Sequence, residues 1–150
     1  MKNIFDHQVT EEIVSRIEKL QPGSKPLWGK MSVAQMLAHC NVTYELIYDN
    51  KHKKPGFLKK LLLKLFVKDI VVNEKPYKRD NPTAPEFHIK DEKDYNVEKS
   101  RLIAYIRKTQ QHGGTWFEGR ESHSFGPLSK QQWNNMFYKH LDHHLNQFGV

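Results

Sequence analysis

Three histidines crowd the last twenty-two residues, SKQQWNNMFYKHLDHHLNQFGV (Ser129–Val150): His140, His143 and His144. Two imidazoles at i and i+4 of a helix project from one face a turn apart and form half of a metal site. The stretch has the marks of a helix, because Trp133, Phe137, Leu141 and Phe148 return to one side. At about 100° per residue from Trp133, His144 falls near 20° and His140 near 340°, inside the apolar stripe, and His143 near 280°, at its edge. Inward histidines also occur as hydrogen-bonded core residues, and on spacing alone both readings of the pair stand.

Other reactive side chains carry weaker signals. His39 stands off the apolar stripe of its own segment, beside Met36, Thr43 and Leu46, and periodicity alone reads it as a surface residue. Cys40, the single cysteine, falls within that stripe with no cationic neighbour to activate it, so it reads as a small core residue rather than a nucleophile. His123 is expected on a loop just before the terminal helix.

The elements that must position these groups are legible as helices. Ser129 and Gln132 form a capping box at the start of the last one, and Gly149 suits its end. Ser32 and Gln35 repeat the box at the start of a helix whose face is Val33, Met36, Leu37, Cys40, Tyr44 and Ile47. A first helix is expected over Thr10–Leu20, and a third over Tyr95–Gln111 with Val97, Leu102, Ile103, Tyr105 and Ile106, stopped by Gly113-Gly114. Trp28, on the loop before Ser32, is expected to cover the bundle end. Between Asp49 and Asp91 the connection is too long for a simple helical hairpin. It contains a basic amphipathic segment, Phe57–Lys68, whose leucines are expected to bury against the other helices. It then passes through DIVVN (Asp69–Asn73), read as extended or irregular, and NPTAPEF (Asn81–Phe87), held extended by its prolines. Thr115–Leu128 is read as a loop. The expectation is a single all-α domain over 1–150, a four-helix bundle with one long crossover connection.

Composition sets the outer bounds. With 150 residues, 37% of them hydrophobic and 27% charged, the chain can bury a core and is not of a disordered type. The net charge of +7 permits attraction to anionic partners, but basic and acidic residues are interspersed and nothing specifies nucleic acid. One cysteine allows no internal disulfide, no apolar run reaches membrane-spanning length, and a cytoplasmic location is the default expectation.

The segments WGKMSVAQMLAHC (Trp28–Cys40), NPTAPEF and HSFGPLSKQQWNNMFYKHLDHHLNQFGV (His123–Val150) together resemble the DinB-like superfamily of metal-binding four-helix bundles. The likeness is to its branch of small domains ending in a histidine-rich helix. The resemblance implies a metal site of one histidine on the second helix and an H-x-x-x-H pair on the fourth, which match His39, His140 and His144. It implies a divalent transition metal, zinc or nickel. Gln35, His123 and His143 are candidates for groups behind the ligands or beside a substrate.

Three functions are open at this stage. The first is a metal-dependent enzyme, a transferase or hydrolase using a small thiol or a metal-bound water; the resemblance implies the thiol-dependent transferases and isomerases of the superfamily as the analogy. The second is a metal-binding or sensing module without catalysis. The third is a basic surface that binds nucleic acid or lipid. A small-molecule substrate or thiol is the expected partner, and a homodimer is left open.

Overall fold

The computed structural model describes residues 1–49, 51–79 and 81–150, and they are mostly helical. In chain order come α1 (His7–Lys19), α2 (Val33–Tyr48), α3 (Phe57–Phe66), α4 (Lys68–Val72), one 3-10 turn (Pro85–Phe87), α5 (Tyr95–Phe117), a two-stranded hairpin of β1 (Arg120–Ser122) and β2 (Gly126–Leu128), and α6 (Lys130–Gln147).

Both capping boxes form. Ser32 Oγ accepts from the Gln35 amide while Gln35 Oε1 accepts from the Ser32 amide, and Ser129 and Gln132 do the same at α6. Each box satisfies two donors that the first turn of a helix would otherwise leave unpaired. At the other end of α6, Gly149 takes φ 73°, the left-handed conformation that ends a helix most easily at glycine.

α1, α2, α5 and α6 share one core. Ile13 and Ile17, Leu37 and Tyr44, Leu102 and Ile106, and Trp133 and Phe137 all lie within it. α2 is buried along most of its length, with a continuous run from Met36 to Glu45 inside after Val33 and Ala34. A helix enclosed on nearly all sides has no single apolar stripe, because every direction meets protein. On α5, Leu102 and Ile106 point into the core as expected, but Val97 is exposed.

Four local expectations are corrected. Gly113 does not end α5. It takes φ 70° and ψ 163°, a kink that only glycine adopts cheaply, and the helix resumes through Phe117. Packing decides that outcome: the Phe117 ring is fully buried against Phe5, Trp133 and Phe137. The segment after it is partly a hairpin rather than a loop throughout, with Ser122 paired to Gly126. Lys68–Val72 is a short helix rather than extended chain, and the second proline of NPTAPEF starts a 3-10 turn.

A fifth correction concerns α3. None of its residues is buried; Phe57, Leu58, Leu61, Leu62, Leu65 and Phe66 are exposed, and Leu63 points inward. The connection is held one helix later. Lys139 of α6, buried, donates from Nζ to the carbonyls of Ile70 (2.8 Å) and Asn73 (2.7 Å), and Asn135 Nδ2 donates to Val72 O (2.9 Å). A cation at the carbonyl end of a helix satisfies acceptors that the helix cannot. Burial would push Lys139 down to about 8, but three oxygens and the Tyr77 ring face its ammonium and favour the charged form.

Candidate metal centre

α2 and α6 cross so that three imidazoles meet. The ring centroids of His39, His140 and His144 form a triangle with sides of 5.0, 4.6 and 4.9 Å. One ring nitrogen from each lies within 4.8 Å of the other two, and all three histidines are buried. The i, i+4 spacing on α6 supplies two of them. His39 joins because its side of α2 faces α6, although it lies off the stripe that its sequence neighbours define.

Each ring is held from behind. His39 Nδ1 lies 2.9 Å from the Phe87 carbonyl, His144 Nδ1 lies 2.8 Å from Gln147 Oε1, and His140 Nδ1 lies 2.9 Å from Thr43 Oγ1. A carbonyl oxygen only accepts, so Nδ1 of His39 and of His144 must carry the proton, and in the neutral rings Nε2 carries a lone pair. Gln147 is oriented in turn by donating from Nε2 to the Trp28 carbonyl at 2.8 Å. Hydrogen bonds of this kind fix the tautomer and aim of metal-binding histidines.

His39 Nε2 and His140 Nε2 are only 3.0 Å apart. With no cation, His140 must donate across that gap and accept from the Thr43 hydroxyl. With a cation, the His140 proton moves to Nδ1 and Thr43 accepts it; a hydroxyl suits both states. Zinc–nitrogen bonds of about 2.0–2.1 Å place tetrahedral nitrogens about 3.3 Å apart, close to this separation. The donor set therefore fits a divalent transition metal.

Electrostatics favours the same conclusion. Burial, and then the neighbouring imidazoles, hold His140 well below the usual histidine range. Burial, then His39, push His144 down to about 3. Burial also lowers His39. Neutral imidazoles are the form that binds metal.

The triad opens onto a largely apolar cavity of about 730 Å³, whose wall includes Trp28, Phe87, Leu63, Met136, His143 and His123. Trp28 thus faces this space; its ring packs edge-on with that of His143 and carries the Arg79 guanidinium at 4.1 Å. His143 lies against Trp28 and Tyr77 and does not join the triad. His123, on the hairpin turn, contacts Ser124 and the His52 carbonyl and is also outside it. Gln35 is committed to its capping box and reaches toward Asp91, not toward the ligands. Cys40 is fully buried in the core, where burial raises its thiol pKa far above the reactive range.

Sequence reasoning missed Thr43, Gln147 and the Phe87 carbonyl. The first two had a usable signal, a polar side chain three or four residues after a histidine of the cluster on the same helix. The third had none, because a backbone carbonyl carries no residue type.

The family model described as "Protein of unknown function (DUF1569)" matches residues 2–149, and the chain belongs to that family. No curated protein and no solved structure matches it.

Proposed function

We propose that this chain is a divalent-metal protein of the DinB-like kind, a four-helix bundle of α1, α2, α5 and α6 with its long connection between α2 and α5. His39, His140 and His144 hold the metal through Nε2. The observation that carries this is the pairing of three converging ring nitrogens with three partners, Phe87 O, Thr43 Oγ1 and Gln147 Oε1, that turn the other nitrogens away.

The activity that suits the site is metal-dependent transfer or hydrolysis on a small molecule. A bound zinc or nickel ion supplies Lewis acidity that brings a water or thiol to its anionic form near neutral pH. The remaining work falls to the chain. Thr43 and Gln147 keep two imidazoles aimed, and the apolar wall of the cavity holds water back from the reacting groups. Cys40 takes no part, so a thiol nucleophile comes from the substrate side. Among the described residues the cluster contains no fourth histidine, cysteine or carboxylate, which is the ligand count of catalytic rather than structural zinc sites.

Elemental analysis of untagged protein tests the reading, with one metal ion per chain expected and most of it lost in His140→Ala and in His144→Ala. Full metal content in both variants would overturn it. The cobalt-substituted protein then separates enzyme from passive module: its visible spectrum shifts with added thiol or imidazole if a small molecule reaches the ion, and stays fixed if the site is closed.

A further inference from the structure

We propose that the outward face of α3 is a docking surface for anionic lipid. The residues come first. Over its 10 positions α3 reads FLKKLLLKLF, and Phe57, Leu58, Leu61, Leu62 and Leu65 occupy one arc of roughly 140°. That arc faces away from the protein: Phe57 is 85% exposed, Leu58 67% and Leu65 64%. Contiguous apolar surface of this kind marks an interaction site rather than ordinary scatter.

Charge identifies the occupant. Lys53, Lys54, Lys64 and Lys68 flank the apolar residues in sequence, and no aspartate or glutamate occurs between Lys51 and Lys68. Lys59 and Lys60 reach back to Glu86 and Glu121, which holds the helix against the protein along its inner side. Among the described residues, Lys53, Lys54, Lys64 and Lys68 have no carboxylate within ion-pair distance. Apolar side chains flanked by uncompensated lysines match a lipid interface, where leucines enter the acyl boundary and ammonium groups meet headgroup phosphates. A second copy of the same face fits poorly, because a two-fold contact brings lysine against lysine. At about 15 Å the helix is too short to cross a bilayer and lies along its surface.

The opposite side of the same helix gives the contact a consequence. Lys59, Leu63 and Val67 line the cavity that holds the histidine triad. Docking therefore brings the cavity wall within about one helix diameter, ~10 Å, of the lipid surface. The docking claim itself does not depend on the metal.

The test is co-sedimentation of the full chain with vesicles of phosphatidylcholine alone and of phosphatidylcholine mixed with phosphatidylglycerol. Binding is expected only to the anionic vesicles, and it weakens as salt is raised. Leu58→Glu with Leu65→Glu, at exposed positions, should keep the melting temperature and weaken binding by about tenfold or more. Lys64→Glu with Lys68→Glu should weaken it comparably. Absence of binding to anionic vesicles, or binding by either double variant equal to that of the unmodified chain, overturns the proposal. So does a concentration-dependent dimer that the leucine variant abolishes, which would assign the face to a second copy.

Discussion

The Nε2 atoms of His39 and His140 face each other at 3.0 Å across a sequence separation of 101 residues. The Phe87 carbonyl fixes the proton of His39 on Nδ1, so the gap needs either a donated proton from His140 or a cation. Thr43 is the residue that allows both, since its hydroxyl can donate to His140 Nδ1 or accept from it. The site thus rests on hydrogen-bonded partners as much as on its three rings.

Removing those partners should weaken the metal without unfolding the protein. Thr43→Val and Gln147→Leu keep approximate volume and delete the hydrogen bonds to His140 and His144. Each is expected to lower metal affinity about 10- to 100-fold, measured by competition with a chromophoric chelator, with the helical circular dichroism unchanged. Affinity equal to that of the unmodified chain would mean that the rings are held by packing alone.

Gly29 should act on the same site from a distance. A β-carbon there would sit 2.6 Å from Gln147 Nε2, and the backbone has φ +81°. Gly29→Ala therefore pushes away the carboxamide that holds His144 and adds strain of about 1 kcal/mol or more. The expected result is weaker metal binding, with no further loss when Gly29→Ala is added to Gln147→Leu. Additive losses in the double variant would place the effect of Gly29 elsewhere.

How much of this was legible depended on how many sides of each helix meet protein. The buried apolar residues of α6, Trp133, Phe137, Leu141 and Leu145, form one stripe over its histidines, so the inward aim of His140 and His144 could be read from spacing. α2 is enclosed from Met36 to Glu45, and a single-stripe reading put His39 outside when it is 5% exposed. Grouping His39 with His140 and His144 came from the resemblance rather than from periodicity, and the three rings do lie together. α3 failed in the opposite sense. Its pattern is as amphipathic as that of a core helix, but pattern reports only that an apolar face exists, and this one faces outward. At Gly113 a local stop signal lost to the burial of Phe117 four residues later.

The contrast between α3 and the core can be measured directly. Leu61→Asp falls on the outward arc at 41% exposure and should change unfolding free energy by no more than about 0.5 kcal/mol. Phe137→Ala removes a ring that packs on Tyr44, Phe117 and Trp133 and should cost about 3–5 kcal/mol. Denaturant melts of the two variants decide the matter. A large loss for Leu61→Asp would show that α3 packs its leucines inward in solution.

The last prediction concerns acid stability and the joint between α2 and α5. Glu45, buried on α2, accepts from His52 Nε2 at 2.8 Å and pairs with Arg101 of α5. Arg101 also pairs with Glu98 at 2.8 Å, and Glu98 accepts from Asn41 of α2, so one guanidinium joins two carboxylates across the helices. Burial alone would raise the Glu45 pKa, but the hydrogen bonds from His52 and Arg101 outweigh it and hold the carboxyl below its ordinary range. Because the folded value is the lower one, the unfolded chain takes up the proton first as pH falls. The stabilisation is therefore complete above about pH 4.5, the ordinary glutamate value, and is lost progressively on acidification below it. Glu45→Gln should cost about 1–2 kcal/mol near neutral pH, a modest figure because Arg101 is part-exposed and keeps Glu98. Its stability should also fall less steeply than that of the parent chain between pH 5 and the folded-state pKa. Parallel acid limbs in urea melts of the two proteins would show that Glu45 titrates alike folded and unfolded, and that the joint is held by its apolar contacts.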